Sequence, residues 1–108
     1  MNILLIETDP FVRTDMQEAL RAAFPGVNLL SVETLDGGDF PQGSPQIIIL
    51  DTPMDEVQTN QRIAAWIASG SQIVLTNGSS VPLSLPEGKW RKVDRPFTEQ
   101  MLLDALDW

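Results

Sequence analysis

The sequence predicts an α/β domain with a doubly wound, five-stranded parallel sheet, and three observations carry that expectation. Short apolar or β-prone runs recur at residues 2–6, 29–34, 46–50, 72–75 and 90–94, each of strand length. Segments with apolar residues at helical spacing alternate with several of these runs, as in domains where helices cover the faces of a sheet. The richest run, Ile47-Ile48-Ile49-Leu50, has four consecutive branched apolar residues and reads as a central strand buried on both faces.

The chain has 108 residues, enough for one domain spanning 1–108 that buries roughly two-thirds of its unfolded surface. Hydrophobic residues make up 43% of it, which places it among globular rather than disordered chains. The longest apolar runs are far too short to span a membrane or to form a signal-peptide core, so a cytoplasmic chain is expected. Cysteine and histidine are both absent. That removes disulfides, thiolate and imidazole metal sites, and the usual general base of hydrolytic triads. Fifteen acidic residues against seven basic ones give a net charge of −8, which disfavours direct contact with nucleic acid or anionic lipid.

Taken in order, residues 2–6 form the first strand and lead into Glu7-Thr8-Asp9. Asp9 can cap a helix that Pro10 begins, and Val12, Met16, Ala19, Leu20 and Ala23 make its apolar stripe. Pro25-Gly26 ends it. The strand at 29–34 then implies a parallel crossover. Residues 35–45 contain Gly37, Gly38, Pro41, Gly43 and Pro45 and leave room for no more than a stub of helix. The central strand delivers Asp51 at its carboxyl end, where open α/β sheets build their sites. Asp55 or Thr59 can cap a following helix that turns Ile63, Ala64, Ile67 and Ala68 inward and stops at Gly70. The strand at 72–75 ends at Thr76. Residues 77–88 carry Pro82 and Pro86, which interrupt any long helix. The segment 90–94 suits an edge strand, and Thr98 caps a last helix of about three turns with Leu102, Ala105 and Leu106 facing the sheet.

Together, Ile3-Leu4-Leu5-Ile6-Glu7-Thr8-Asp9-Pro10 with Val12-Arg13, Ile48-Ile49-Leu50-Asp51 with Met54, Val74-Leu75-Thr76, and Arg95-Pro96-Phe97-Thr98 resemble the receiver domain of bacterial response regulators over nearly the whole chain. The resemblance implies a sheet of order 2-1-3-4-5 with shortened or irregular second and fourth helices. It implies that Asp51 accepts a phosphoryl group from a histidine kinase or phosphotransfer protein, with no activity beyond magnesium-dependent self-phosphorylation and its hydrolysis. A carboxylate can attack phosphorus when a cation offsets the crowded negative charge and donors hold the phosphoryl oxygens. By resemblance, Mg²⁺ would sit on Asp9, Asp51 and the backbone carbonyl of Pro53. Thr76 and Arg95 would face the phosphoryl oxygens, and the Arg95-Pro96 bond would be cis. Output would pass to a downstream protein or a fused output domain, or through a homodimer.

The chain departs from that family in ways that make it an atypical member. Thr8 and Asp9 take the places of two adjacent acids, so one carboxylate is missing and magnesium binding is weakened. Strand alternation directs Glu7 away from the site. Arg95 replaces a lysine and can fork onto a phosphoryl group or pair with Asp51 without one. Lys92 stands where a switch aromatic is usual, and nineteen positions separate Thr76 from Arg95, a short interval for the family. A second reading follows from these changes: a receiver-like module that docks or dimerises without ever taking phosphate. A flavodoxin-like cofactor site ranks third, because Gly37-Gly38 and Gly78 lack the spacing and the lysine of a glycine-rich phosphate loop.

Overall fold

A computed structural model describes residues 1–34, 43–52, 54–76 and 88–107. Five strands, β1 (Asn2–Ile6), β2 (Asn28–Val32), β3 (Ile47–Leu50), β4 (Gln72–Leu75) and β5 (Trp90–Lys92), form one parallel sheet of order β2-β1-β3-β4-β5, as the resemblance implies. The described helices are α1 (Pro10–Ala23), α2 (Met54–Thr59), α3 (Gln61–Ala68) and α4 (Glu99–Ala105). The expectations for residues 35–42 and 77–87, including the shortened second and fourth helices of the family pattern, lie outside the described residues, as do Pro53 and Trp108.

Alternation along the strands sorts the core into two layers. Ile3, Leu5, Ile47, Ile49, Val74 and Val93 pack with Met16 and Leu20 of α1 and Leu102 of α4 on one face. Leu4, Ile6, Ile48, Leu50, Ile73 and Leu75 pack with Val57, Ile63 and Trp66 on the other. Every residue of β3 is buried, in keeping with its unbroken apolar run. Trp66 is a packing residue of the second layer.

Three local expectations are corrected. One helix was expected after β3, but two form, because the Asn60 side chain accepts a bond from the Ile63 N–H at 3.0 Å and starts α3 afresh; Asn60, not Asp55 or Thr59, is the cap. β2 and β5 end short of residues 34 and 94. α4 has seven residues, about two turns rather than three, capped by the Thr98 hydroxyl on the Met101 N–H as expected.

Candidate functional site

The site is built by the register of the sheet. Ile6 pairs with Leu50, and Leu50 with Leu75. The ladder runs one step further, with Glu7 N–H donating to Val32 O, Asp51 N–H to Ile6 O and Thr76 N–H to Leu50 O. Glu7, Asp51 and Thr76 therefore stand side by side on the carboxyl edge of three adjacent strands, and alternation points all three toward the face covered by α1 and α4.

This overturns the expected direction of Glu7. Alternation itself is obeyed, but the neighbour that matters is Asp51 across the ladder rather than Asp9 along the chain. Glu7 is only 1% exposed, and the guanidinium of Arg95 meets it, with Nη2 donating to Oε1 at 2.7 Å and to Oε2 at 3.1 Å. Arg95 Nε also donates to the carbonyl of Thr76, and Nη2 lies 3.3 Å from its hydroxyl oxygen. Arg95 thus lies across the row from Thr76 to Glu7 and is tied to neither oxygen of Asp51 by a hydrogen bond. Its side chain is about one-third exposed, with exposure of 35%, and stands over the Phe97 ring at 5.5 Å. The Arg95-Pro96 bond is cis.

Asp51 is half-buried, and Thr8 holds its Oδ2 with the backbone N–H at 3.0 Å and the hydroxyl at 2.7 Å. Burial opposes the charge on Asp51. A shared hydrogen bond with Glu7, the two Thr8 donors and the nearby Arg95 charge together outweigh burial and hold Asp51 below the usual carboxylate range. Glu7 moves the other way: burial first, then the hydrogen bond with Asp51, raises its pKa to about 7 in spite of Arg95. The two carboxyls behave as a pair in which Glu7 carries the proton and Asp51 the charge.

Asp9 caps α1: its Oδ1 accepts from the N–H groups of Phe11 at 2.9 Å and Val12 at 3.3 Å, a role compatible with the metal-binding one that the resemblance implies. The acid bonded to Asp51 is Glu7. Thr76 is buried, and its hydroxyl donates to Leu50 O at 3.3 Å. Among the described residues no cluster of three or more acidic side chains forms a metal cage. A magnesium ion keeps several waters and takes one or two carboxylates; Asp51 offers one, and Glu7 would offer a second only after giving up its proton and the Arg95 guanidinium.

Sequence reasoning thus placed Asp51, Thr76 and Arg95 in one site and missed Glu7. The signal was present in the lengths of the runs: if Ile6 and Leu50 both end strands at one level, the residues after them are neighbours.

No family model matches the chain, and its sequence matches no curated protein. Among solved structures it is similar to a LuxR-family DNA-binding response regulator from Silicibacter pomeroyi, with a TM-score of 0.70 and 18% identity over 98% of this chain and 87% of that one. It is also similar to a fusion protein carrying the yeast Spc42 trimeric coiled coil, with a TM-score of 0.59 and 21% identity over 97% of this chain and 73% of that one. At these identities the likeness is one of fold, and the fold of this chain is receiver-like.

Proposed function

We propose that this chain is a receiver-like domain of phosphorelay signalling in which Asp51 is the phospho-acceptor and the state of Asp51 controls a protein-binding surface. The observation that carries the reading is the row Glu7, Asp51, Thr76 on the carboxyl edge of the sheet, bridged by Arg95.

Asp51 is kept ionised and is half-buried, so its carboxylate is a nucleophile at neutral pH. Thr8 fixes Oδ2 with two donors and so limits the orientations from which the carboxylate attacks. In transfer from a phosphohistidine, an Asp51 oxygen forms the new bond to phosphorus, the nitrogen–phosphorus bond breaks, and the imidazole leaves with the bonding pair and takes a proton. Bound magnesium would supply charge neutralisation between the carboxylates and the phosphoryl oxygens. Glu7 and Asp51 are the residues that would hold it, with Glu7 giving up its proton and its hold on Arg95. Arg95, released, is long enough to fork onto the phosphoryl oxygens, and the Thr76 hydroxyl lies on the same side of the row.

The test is incubation with Mg²⁺ and a small acyl phosphate, followed by intact mass. One phosphate-sized gain in the wild type and none in Asp51→Asn is expected; no gain at any donor concentration, in folded protein, removes phosphotransfer.

The second reading, a docking or dimerisation module that works without phosphate, is favoured by the same contact between Glu7 and Arg95. Glu7 with Arg95 and Thr8 with Asp51 close the site on itself, and no buried side-chain polar atom among the described residues lacks a partner. Absence of a mass gain together with partner binding that survives Asp51→Asn would establish that role.

A further inference from the structure

The guanidinium of Arg95 is gripped along one edge only. Its Nε donates to the Thr76 carbonyl, while Nη2 donates to both oxygens of Glu7 and lies 3.3 Å from the Thr76 hydroxyl oxygen. Nη1 carries two more N–H donors and has no hydrogen-bond partner among the described residues. Glu7 and Thr76 are each 1% exposed, so the grip is rooted in the sheet, whereas the Arg95 side chain is 35% exposed. Arg95 asks of Glu7 only accepting oxygens, and the grip therefore holds with Glu7 protonated. A cation ligated by Glu7 has to displace Arg95 from those oxygens. Thr8, for its part, gives Asp51 two hydrogen-bond donors rather than a second carboxylate. The fixed positive group that acts on Asp51 is Arg95.

We propose that Arg95, without leaving Glu7 and Thr76, supplies the positive charge for phosphoryl transfer to Asp51, so that transfer proceeds without a divalent cation. The inference rests on the reading of Asp51 as phospho-acceptor and adds to it the source of the charge. Glu7 is then a positioning residue for Arg95. A donor held in advance on buried partners is aimed before the reaction and needs no reorganisation during it. Arginine suits the task, because its planar fork keeps a pair of donors for phosphoryl oxygens while its other edge is bound. In transfer from a small acyl phosphate, an Asp51 oxygen bonds to phosphorus, the donor's phosphorus–oxygen bond breaks, and the donor leaves as a carboxylate with the bonding pair. No proton moves. The Nη1 donors would meet the phosphoryl oxygens, and the guanidinium charge offsets their repulsion by the Asp51 carboxylate. Unlike the route through bound magnesium, this one needs no release of Arg95.

The experiment follows the phosphate-sized mass gain of the folded chain over time, with a small acyl phosphate as donor, in chelator and in Mg²⁺. The rate in chelator is expected within about fivefold of the rate in Mg²⁺; a larger loss, or a gain seen only with Mg²⁺, overturns the inference and leaves Asp51 as the phospho-acceptor. No gain in either buffer removes the phospho-acceptor reading, and the inference with it. Arg95→Lys keeps the charge but cannot hold Thr76 and Glu7 and still offer a free pair of donors. It should lose about tenfold or more in chelator and recover on addition of Mg²⁺; no loss in chelator, or an equal loss in both buffers, overturns the role of Arg95. Glu7→Leu removes the accepting oxygens and should lower the chelator rate about tenfold, whereas Glu7→Gln, whose amide oxygen still accepts from Nη2, should restore most of it. Equal loss in both Glu7 variants, or loss in neither, overturns Glu7 as the positioning residue.

Discussion

Glu7 makes the stability of this protein depend on pH in a window where almost nothing else titrates. Its pKa is about 7 in the folded protein against 4.5 when unperturbed, and burial is the largest cause. Between those values the folded state binds more protons than the unfolded state, so stability is fully present below the unfolded pKa and is lost as the pH rises through the folded one. Each unit of difference is worth about 1.36 kcal/mol, so ionising Glu7 withdraws about 3 kcal/mol in all, or about 10–20 °C in melting temperature for a domain of this size. Asp51, whose pKa is lowered, contributes in the opposite sense, with stability lost only as the pH falls below the usual carboxylate range, outside this window. The chain has no histidine and no cysteine to obscure the effect. Thermal unfolding in chelator-treated buffer should therefore show a melting temperature that falls from about pH 5 to about pH 7.5, and the fall should vanish in Glu7→Gln. A wild-type profile that is flat or rises over that range, or a slope that persists in Glu7→Gln, refutes the placement of Glu7 as a buried, proton-carrying partner of Asp51.

Three further substitutions separate the neighbours. Asp9→Ala removes the cap of α1 and should cost about 1 kcal/mol in denaturant unfolding, while magnesium affinity measured by calorimetry should stay within about twofold if Glu7 and Asp51 are the ligands and fall by about tenfold or more if Asp9 is one of them. Thr8→Asp places a carboxylate where Thr8 now bonds Asp51 and should strengthen magnesium binding by about tenfold in the same assay; unchanged binding would show that Thr8 does not limit the site. Arg95→Met strands a buried carboxyl without its cation and should cost about 2–3 kcal/mol near pH 8, at or just below the low end for breaking a buried pair because Arg95 is partly exposed, with most of the loss recovered near pH 5, where Glu7 is protonated.

Much of this fold was legible because buried parallel strands write themselves as branched apolar runs. Ile47–Leu50 has no polar residue to hide its place at the centre of the sheet, and Asp51 follows it directly. The three-way grouping of Asp51, Thr76 and Arg95 was legible through resemblance and held in space. Glu7 was not, because its direction was judged along its own strand, whereas the register between β1 and β3 decides which residues meet. The break between α2 and α3 was missed because Asn60 caps a new helix within a stretch whose composition is otherwise helical throughout. Arg95 was expected to choose between a phosphoryl group and Asp51. The partner it takes, Glu7, became available only once that register placed a buried acid within its reach.

The central claim is that Asp51 is the residue that takes a phosphoryl group, and chemical trapping tests it most directly. Borohydride reduces an aspartyl phosphate to homoserine, releasing phosphate, and so marks the acceptor permanently for peptide mass mapping. After treatment with an acyl phosphate and Mg²⁺, the account predicts homoserine at position 51 and at no other aspartate. Homoserine at Asp9 or elsewhere, or none at any position in folded protein, would contradict it.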